Sequence, residues 1–155
     1  MLLKQLNRDD AEKIFVSVQN TSGVTVSVGQ FVCYDWQNNA SVGVAATKPV
    51  TSNLGLFCGV NVGQGGHSGD YKDLGTDSFG LIQCWGIMNS VAYHVGAASL
   101  SAAGMYLVPT TAQWSGQTGA LDVVAASALL YTRGAFLLTN DISGPGYAKA
   151  FVRAI

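Results

Sequence analysis

The sequence predicts an all-β fold: a compact β-barrel, β-tulip or sandwich of many short antiparallel strands, led in by an N-terminal arm. Three observations carry this. Short runs rich in Val, Ile, Phe and Tyr recur along the chain, and such residues fit a pleated, half-buried surface. Turn formers separate them at short intervals, and glycine is abundant, at 19 of 155 residues. Several glycines also fall inside the apolar runs, where they mark bulges or close backbone approach.

Residues 1–13 read as the arm and 14–155 as a single β domain. Of the 8 basic and 9 acidic residues, six (Lys4, Arg8, Asp9, Asp10, Glu12 and Lys13) lie in the arm. A short helix fits Asp9 to Lys13, with Asn7 in capping position. From Ile14 onward the strands follow in order. Ile14-Phe15-Val16-Ser17-Val18 is apolar and β-branched, and Asn20-Thr21-Ser22-Gly23 turns. Val24-Thr25-Val26-Ser27-Val28 alternates with period two. Gly29-Gln30 breaks it and Phe31-Val32-Cys33-Tyr34 resumes. Strands are further expected at Val42 to Ala46, Leu54 to Val62, Phe79 to Met88, Val91 to Val95 and Met105 to Val108. Ala120 to Tyr131 mixes helix-favouring Ala and Leu with Val123-Val124, and is read as strand. Ala135 to Thr139 and Ala148 to Val152 form a closing hairpin across the turn-rich 140–146 segment.

An internal echo is visible. Val26-Ser27-Val28-Gly29-Gln30-Phe31-Val32 and Leu100-Ser101-Ala102-Ala103-Gly104-Met105-Tyr106-Leu107 share one form, a short apolar strand, a glycine, then a second apolar strand. This suggests a barrel or sandwich built from similar halves, although glycine-punctuated β chains also produce such echoes by chance.

Charged residues make up only 11% of the chain, against about 25% in typical soluble domains. A surface this sparse in charge is wetted by Ser, Thr, Asn, Gln and Gly, or is covered by partners. The net charge of −1 offers no basic field for nucleic acid. No apolar run approaches a membrane span, and the start lacks a signal-peptide pattern, so neither nucleic acid nor membrane is an expected partner. Cys33, Cys58 and Cys84 sit in apolar contexts without C-x-x-C spacing and read as buried thiols of a reducing compartment.

The catalytic inventory is thin. Gly63-Gln64-Gly65-Gly66-His67-Ser68-Gly69-Asp70 has Ser68 where a dinucleotide fingerprint needs glycine, and lacks the lysine of a phosphate loop. Asp70, Asp73 and Asp77 do not have the spacing of a calcium loop, and Lys72 sits among them. His94 has no serine or aspartate motif to complete a triad. No catalytic residue, metal ligand or cofactor is therefore expected. Trp36 and Trp114 adjoin polar turns and are candidate surface-binding aromatics, able to stack on sugars or anchor an interface. Trp85, inside an apolar run, reads as core.

The charged arm, the run Val24 to Val32, then Val42-Gly43-Val44-Ala45, Leu56-Phe57-Cys58-Gly59-Val60 and the second strand–Ala-Gly–strand unit at Leu100 to Val108 together resemble the decoration, or cement, proteins of tailed-bacteriophage heads. That resemblance implies a compact β-barrel or β-tulip and a homotrimer on the capsid exterior. It implies a virion protein made in the host bacterial cytoplasm that bridges copies of the major capsid protein. Leu2, Leu3, Leu6 and Arg8 of the arm would then make partner contacts. The alternative is a phage-surface glycan- or receptor-binding module using Trp36, Trp114 and the 63–78 loop.

Overall fold

A computed structural model of the chain describes residues 12–38, 44–50, 52–63, 73–94, 106–110, 113–114, 117–118, 121–124, 134–138 and 146–154. The candidate arm residues Leu2, Leu3, Leu6 and Arg8, most of the Asp9–Lys13 segment, and the 64–72 stretch containing His67 and Asp70 lie outside these.

The described residues are almost entirely β. In chain order the strands are β1 (Ile14–Asn20), β2 (Phe31–Tyr34), β3 (Val44–Thr47), β4 (Phe57–Asn61), β5 (Phe79–His94), β6 (Tyr106–Pro109), β7 (Gln113–Trp114), β8 (Gln117–Thr118), β9 (Leu121–Val124), β10 (Gly134–Leu137) and β11 (Gly146–Arg153). β7 and β8 form a small separate hairpin, and the other nine share one sheet.

That sheet closes on itself. β1, β3, β2, β4 and β5 pair in that order, and β5 returns to β1, which makes a five-stranded barrel. The remaining pairings run β5–β11–β10–β6–β9, with β9 returning to β5, so a second ring of five strands shares β5 with the first. The two rings have the same plan. Call the strands a to e in chain order. In each ring a pairs with c in parallel, and c with b, b with d, d with e and e with a are antiparallel. Strand e of the first ring and strand a of the second are the two halves of β5.

The sequence echo falls on this plan. Phe31 and Tyr106 each open strand b. Phe31 faces Val60 and Val32 faces Gly59 on strand d, while Tyr106 faces Phe136 and Leu107 faces Ala135 in the second ring. Tyr106 and Phe136 pack as a cross-strand aromatic pair, with ring centroids 4.1 Å apart.

A five-stranded barrel is narrower than the eight-stranded kind whose interior just holds side chains. Its filling must be small. Each strand of the first barrel contributes one buried residue to a single cluster: Val18, Val32, Ala46, Cys58 and Ile82, completed by Val26 and Leu74. Phe31, Cys33, Phe57 and Val60 belong to a larger cluster with Met88, Val91, Tyr93, Leu107, Ala135, Leu137 and the β11 alanines. Alternation along β2 therefore sends Val32 into the first barrel and Phe31 and Cys33 toward the second ring.

Two expectations from the sequence need correction. Phe79 to Met88 and Val91 to Val95 are one strand of 16 residues, Phe79–His94, because different neighbours pair its two halves and the interruption at residues 89–90 is a register shift against β11, not a break. Val24 to Val28 is not a strand. Only Val26 makes a bridge, to Leu74, and residues 27–30 turn. Buried side chains take the hydrogen bonds that a neighbouring strand would have taken. Asn20 Nδ2 donates to the carbonyls of Val24 (2.7 Å), Leu74 (3.0 Å) and Gly75 (3.1 Å), and its Oδ1 accepts from Ser22 N and Oγ. Asn61 Nδ2 donates to the Val26 carbonyl at 2.8 Å. The segment becomes a plug that seats Val26 and Leu74 in the barrel.

Gly29 ties this plug to the second ring. Its N–H donates to Asn61 O and its carbonyl accepts from Ala92 N, both at 2.8 Å. Its φ is +87°, and a Cβ there would stand 2.7 Å from the Ser90 carbonyl oxygen. Only glycine fits that approach.

Asn20→Ala removes the amide that three buried or half-buried carbonyls share. Each carbonyl keeps one other donor (Ser22 Oγ, Val26 N and Ser78 N), so the expected cost is that of the lost hydrogen bonds, about 1–3 kcal/mol in all at about 0.5–1.5 kcal/mol each. Urea unfolding measures it, and a midpoint equal to that of the parent chain would show that the plug is not held this way.

Candidate interaction site

Reactive groups do not converge among the described residues. No group of three or more His, Cys, Asp or Glu side chains there is placed to hold a metal. The three cysteines are free and buried. Burial pushes the Cys33 thiol up to about 12, with the neighbouring Cys58 adding to the effect. Burial likewise raises Cys58 to about 12 against an opposing hydrogen bond from Tyr34. Burial also raises Cys84, whose Sγ donates to the Ile14 carbonyl at 3.3 Å. Nucleophilic cysteines need the opposite shift.

Asp73 and Asp77, read from sequence as part of an acidic cluster, have structural partners. Asp73 accepts from Val28 N at 3.0 Å and Ser27 Oγ at 3.2 Å, which fastens the plug from outside. Asp77 stands at φ 56° and donates its N–H to the Asn20 carbonyl at 2.8 Å. His94 ends β5. Trp85 is half-buried, not core; its ring stacks edge-on against Phe151 at 5.1 Å.

The surface offers aromatic anchors instead. Trp36 is 65% exposed, the highest value among the large exposed apolar side chains of the described residues. It lies just beyond β2, in a turn that Asp35 organises. Asp35 Oδ1 accepts from the N–H groups of Gln37 (3.1 Å) and Asn38 (3.2 Å). Its Oδ2 accepts from Thr21 Oγ1 (2.6 Å) and Asn38 Nδ2 (2.8 Å). Partial burial of Asp35 works toward a higher pKa, but the bonds from Thr21, Asn38 and the two amides outweigh it and hold the carboxyl below its ordinary value. Trp36 is thus presented on a fixed turn. Trp114 occupies the second position of β7, between strands b and c of the second ring. Trp36 lies between strands b and c of the first.

A second exposed group was not singled out from the sequence. Val18 and Ile82 point into the barrel. Alternation then places Phe15, Ser17 and Gln19 of β1, with their partners Gln83, Leu81 and Phe79 of β5, on the outward face. Phe15 is 44% and Phe79 46% exposed, and neighbouring Ile14 is 39% exposed. The signal was available: Ile14-Phe15-Val16 has apolar residues on both faces of a strand, one more than a half-buried strand requires. Gln83 on the same face is buried, and its Nε2 has no hydrogen-bond acceptor among the described residues.

Compared with known protein families and with curated proteins, the chain matches none.

Two measurements test these assignments. Asp35 has a depressed folded pKa, so its contribution holds above the ordinary value of 3.8 and is lost as pH falls below it. Hydrogen exchange at the Gln37 and Asn38 amides, corrected for the intrinsic rate, should accelerate below that pH, and in Asp35→Ala it should be fast at every pH. Slow, pH-independent exchange would refute the carboxylate's role. For the thiols, Ellman's reagent at pH 8 is expected to leave Cys33 and Cys58 untouched in the folded chain and to titrate all three cysteines in guanidinium. Rapid native reaction at either residue would contradict the burial.

Proposed function

We infer that this chain is a non-enzymatic structural protein of a virion. It binds the outer surface of an assembled phage head as a homo-oligomer, a trimer on the family resemblance, and stabilises the head by bridging subunits of the major capsid protein. The observation that carries the reading is the combination of a charge-poor body with exposed aromatic side chains on rigid β structure. Eleven of the seventeen charges serve the 142 residues from Ile14 onward, while Phe15, Trp36 and Phe79 stand 44–65% exposed. Interfaces deplete charge at their centres and enrich aromatic residues. Exposed rings held on strands and stapled turns lose little conformational entropy on docking, which favours binding by a preformed surface.

The mechanism is physical. A chain that binds the assembled shell more tightly than free subunits stabilises the shell by linkage. An oligomer that engages several subunits gains roughly 10²–10⁴ in avidity over one contact. The arm, with Leu2, Leu3, Leu6 and Arg8, adds to the contact in this account. A glycan- or receptor-binding module is the second reading, favoured by one observation: Trp36 is exposed on a turn whose polar neighbours Gln37 and Asn38 are themselves exposed, a setting suited to stacking on a sugar.

The test is sedimentation of the purified chain with empty shells of the encoding virus's major capsid protein, together with light scattering of the chain alone. Saturable co-sedimentation, a raised shell dissociation temperature and an oligomer at micromolar concentration are expected. A monomer that leaves shells unbound overturns the reading, and glycan-array binding lost in Trp36→Ala would replace it with the second.

A further inference from the structure

The second half of the sheet turns a row of apolar side chains outward. Ile87 of β5 faces Phe151 of β11, Phe151 faces Phe136 of β10, and Phe136 faces Tyr106 of β6. Residues opposite one another across a sheet share a face. The next residue along each strand, Met88, Ala150, Leu137 or Leu107, belongs to the buried cluster, so the row itself points away from the core. All four of its members are half-buried. Neighbouring strands lie about 4.8 Å apart, so the row spans roughly 15 Å across the sheet.

The row is stiff. Tyr106 and Phe136 pack with ring centroids 4.1 Å apart, and Trp85 extends the group by meeting Phe151 edge-on at 5.1 Å. Rings fixed by one another lose little conformational freedom when a partner covers them.

The charges beside the row have one sign. Among their Lys, Arg, Asp and Glu positions, β5, β6, β10 and β11 hold only Lys149 and Arg153. Both are exposed, and both alternate outward with Phe151, one before it and one after it on β11. Each is two residues from Phe151 and so stands about 7 Å from the row, on opposite sides. Neither makes an ion pair among the described residues.

We propose that this face docks a protein surface with an apolar centre and carboxylates at its rim. The proposal rests on the capsid reading and places that surface on the major capsid protein. Aromatic residues and Arg are the types that interfaces enrich. Charge complementarity selects the occupant, since a cation on each side of the row calls for an anion on each side of what covers it. A second copy docked face to face would set Lys149 and Arg153 against like charges, which is unfavourable. Single-stranded nucleic acid needs open ring faces for its bases, and these rings are turned against one another.

The probe is the assembled empty shell of the encoding virus's major capsid protein, bound by the full-length chain. Parent affinity is expected to weaken at least about tenfold between about 0.05 and 0.5 M NaCl, because salt screens exposed charges. Lys149→Glu combined with Arg153→Glu should lower shell affinity by about 10–100-fold and remove that salt response, with the oligomeric state by light scattering unchanged. Lys48→Glu makes the same change of charge on the first ring and should alter affinity less than about twofold. Ile87→Ser should cost about tenfold while keeping the salt response. Melting temperatures check each fold, and the exposed charge pair decides the matter alone. Unchanged affinity in the folded charge variant, or an equal loss in Lys48→Glu, overturns the inference and leaves the capsid reading intact. A loss of self-association in place of shell binding would give the face to a second copy, and oligothymidine binding lost in the charge variant would give it to nucleic acid. Either result overturns the inference. A parent chain that leaves shells unbound overturns the capsid reading and the inference with it.

Discussion

The structure depends on one strand, β5, that serves two rings, paired to β1 and β4 in its first half and to β11 and β9 in its second. β5 gives its first half to one barrel and its second half to another ring, and the exchange happens within two residues. At Trp85 the strand has Ile14 of β1 on one edge and Arg153 of β11 on the other. At Gly86 the φ is +103°, and any Cβ would collide with the carbonyl oxygen of Glu12. A positive φ in mid-strand bends the ladder locally, which is how sheets turn corners. Cys84 completes the joint: its carbonyl accepts from Ala154 N at 2.8 Å, and its thiol reaches the Ile14 carbonyl. The beginning and the end of the described chain are therefore held on the same three residues of β5. Backbone groups left open at this point would be buried, and buried unpaired groups are costly. Closure of both rings removes the sheet edges that would otherwise invite pairing with other chains.

Closure has a consequence for what can fill the first barrel. Five strands leave room for one medium or small residue per strand, and the open end must be covered by something that carries its own hydrogen bonds. The 21–30 segment does this with little regular structure. Asn20 and Asn61 brace the Val26–Leu74 bridge, each giving a further hydrogen bond to one of its two carbonyls. The cost of burying two asparagines is offset because their amide groups find several partners each. Through Gly29 the same segment reaches the second half of β5, so the plug of one barrel is also a fastener between the two.

Much of this was legible in the residues. The alternation and turn chemistry located β1, β2, β4 and the β10–β11 hairpin to within a few positions, because in these each residue's preference agrees with the final fold. The glycine-centred echo marked strand b of both rings. The errors have a common cause, which is that local pattern does not encode partners. Val24 to Val28 alternates as a strand should, yet the side chains of Asn20, Asn61 and Asp73 claim its backbone. Phe79 to His94 reads as two strands because Asn89-Ser90 looks like a break, yet pairing to β11 carries the ladder through. Of the candidate site, Trp36 was legible from its polar turn. The outward face with Phe15 and Phe79 was not, because only the pairing register of β1 with β5 reveals that the two rings of side chains share a face.

The two halves differ most where they are least constrained by closure. Strands b and d keep the same register in both rings, with an aromatic residue opening strand b each time. The b–c connections have diverged in form: the first is a turn built on Asp35, and the second contains the β7–β8 hairpin. A closed barrel tolerates few changes in strand pairing, because one slipped register would send its interior residues to the outside. Connections carry no such penalty, and they are where binding residues are usually placed on a rigid scaffold. A tryptophan in both connections, despite their different backbone forms, is therefore not required by the shared plan. Barrel closure accounts for the likeness of the strands, and it leaves the connections free to differ.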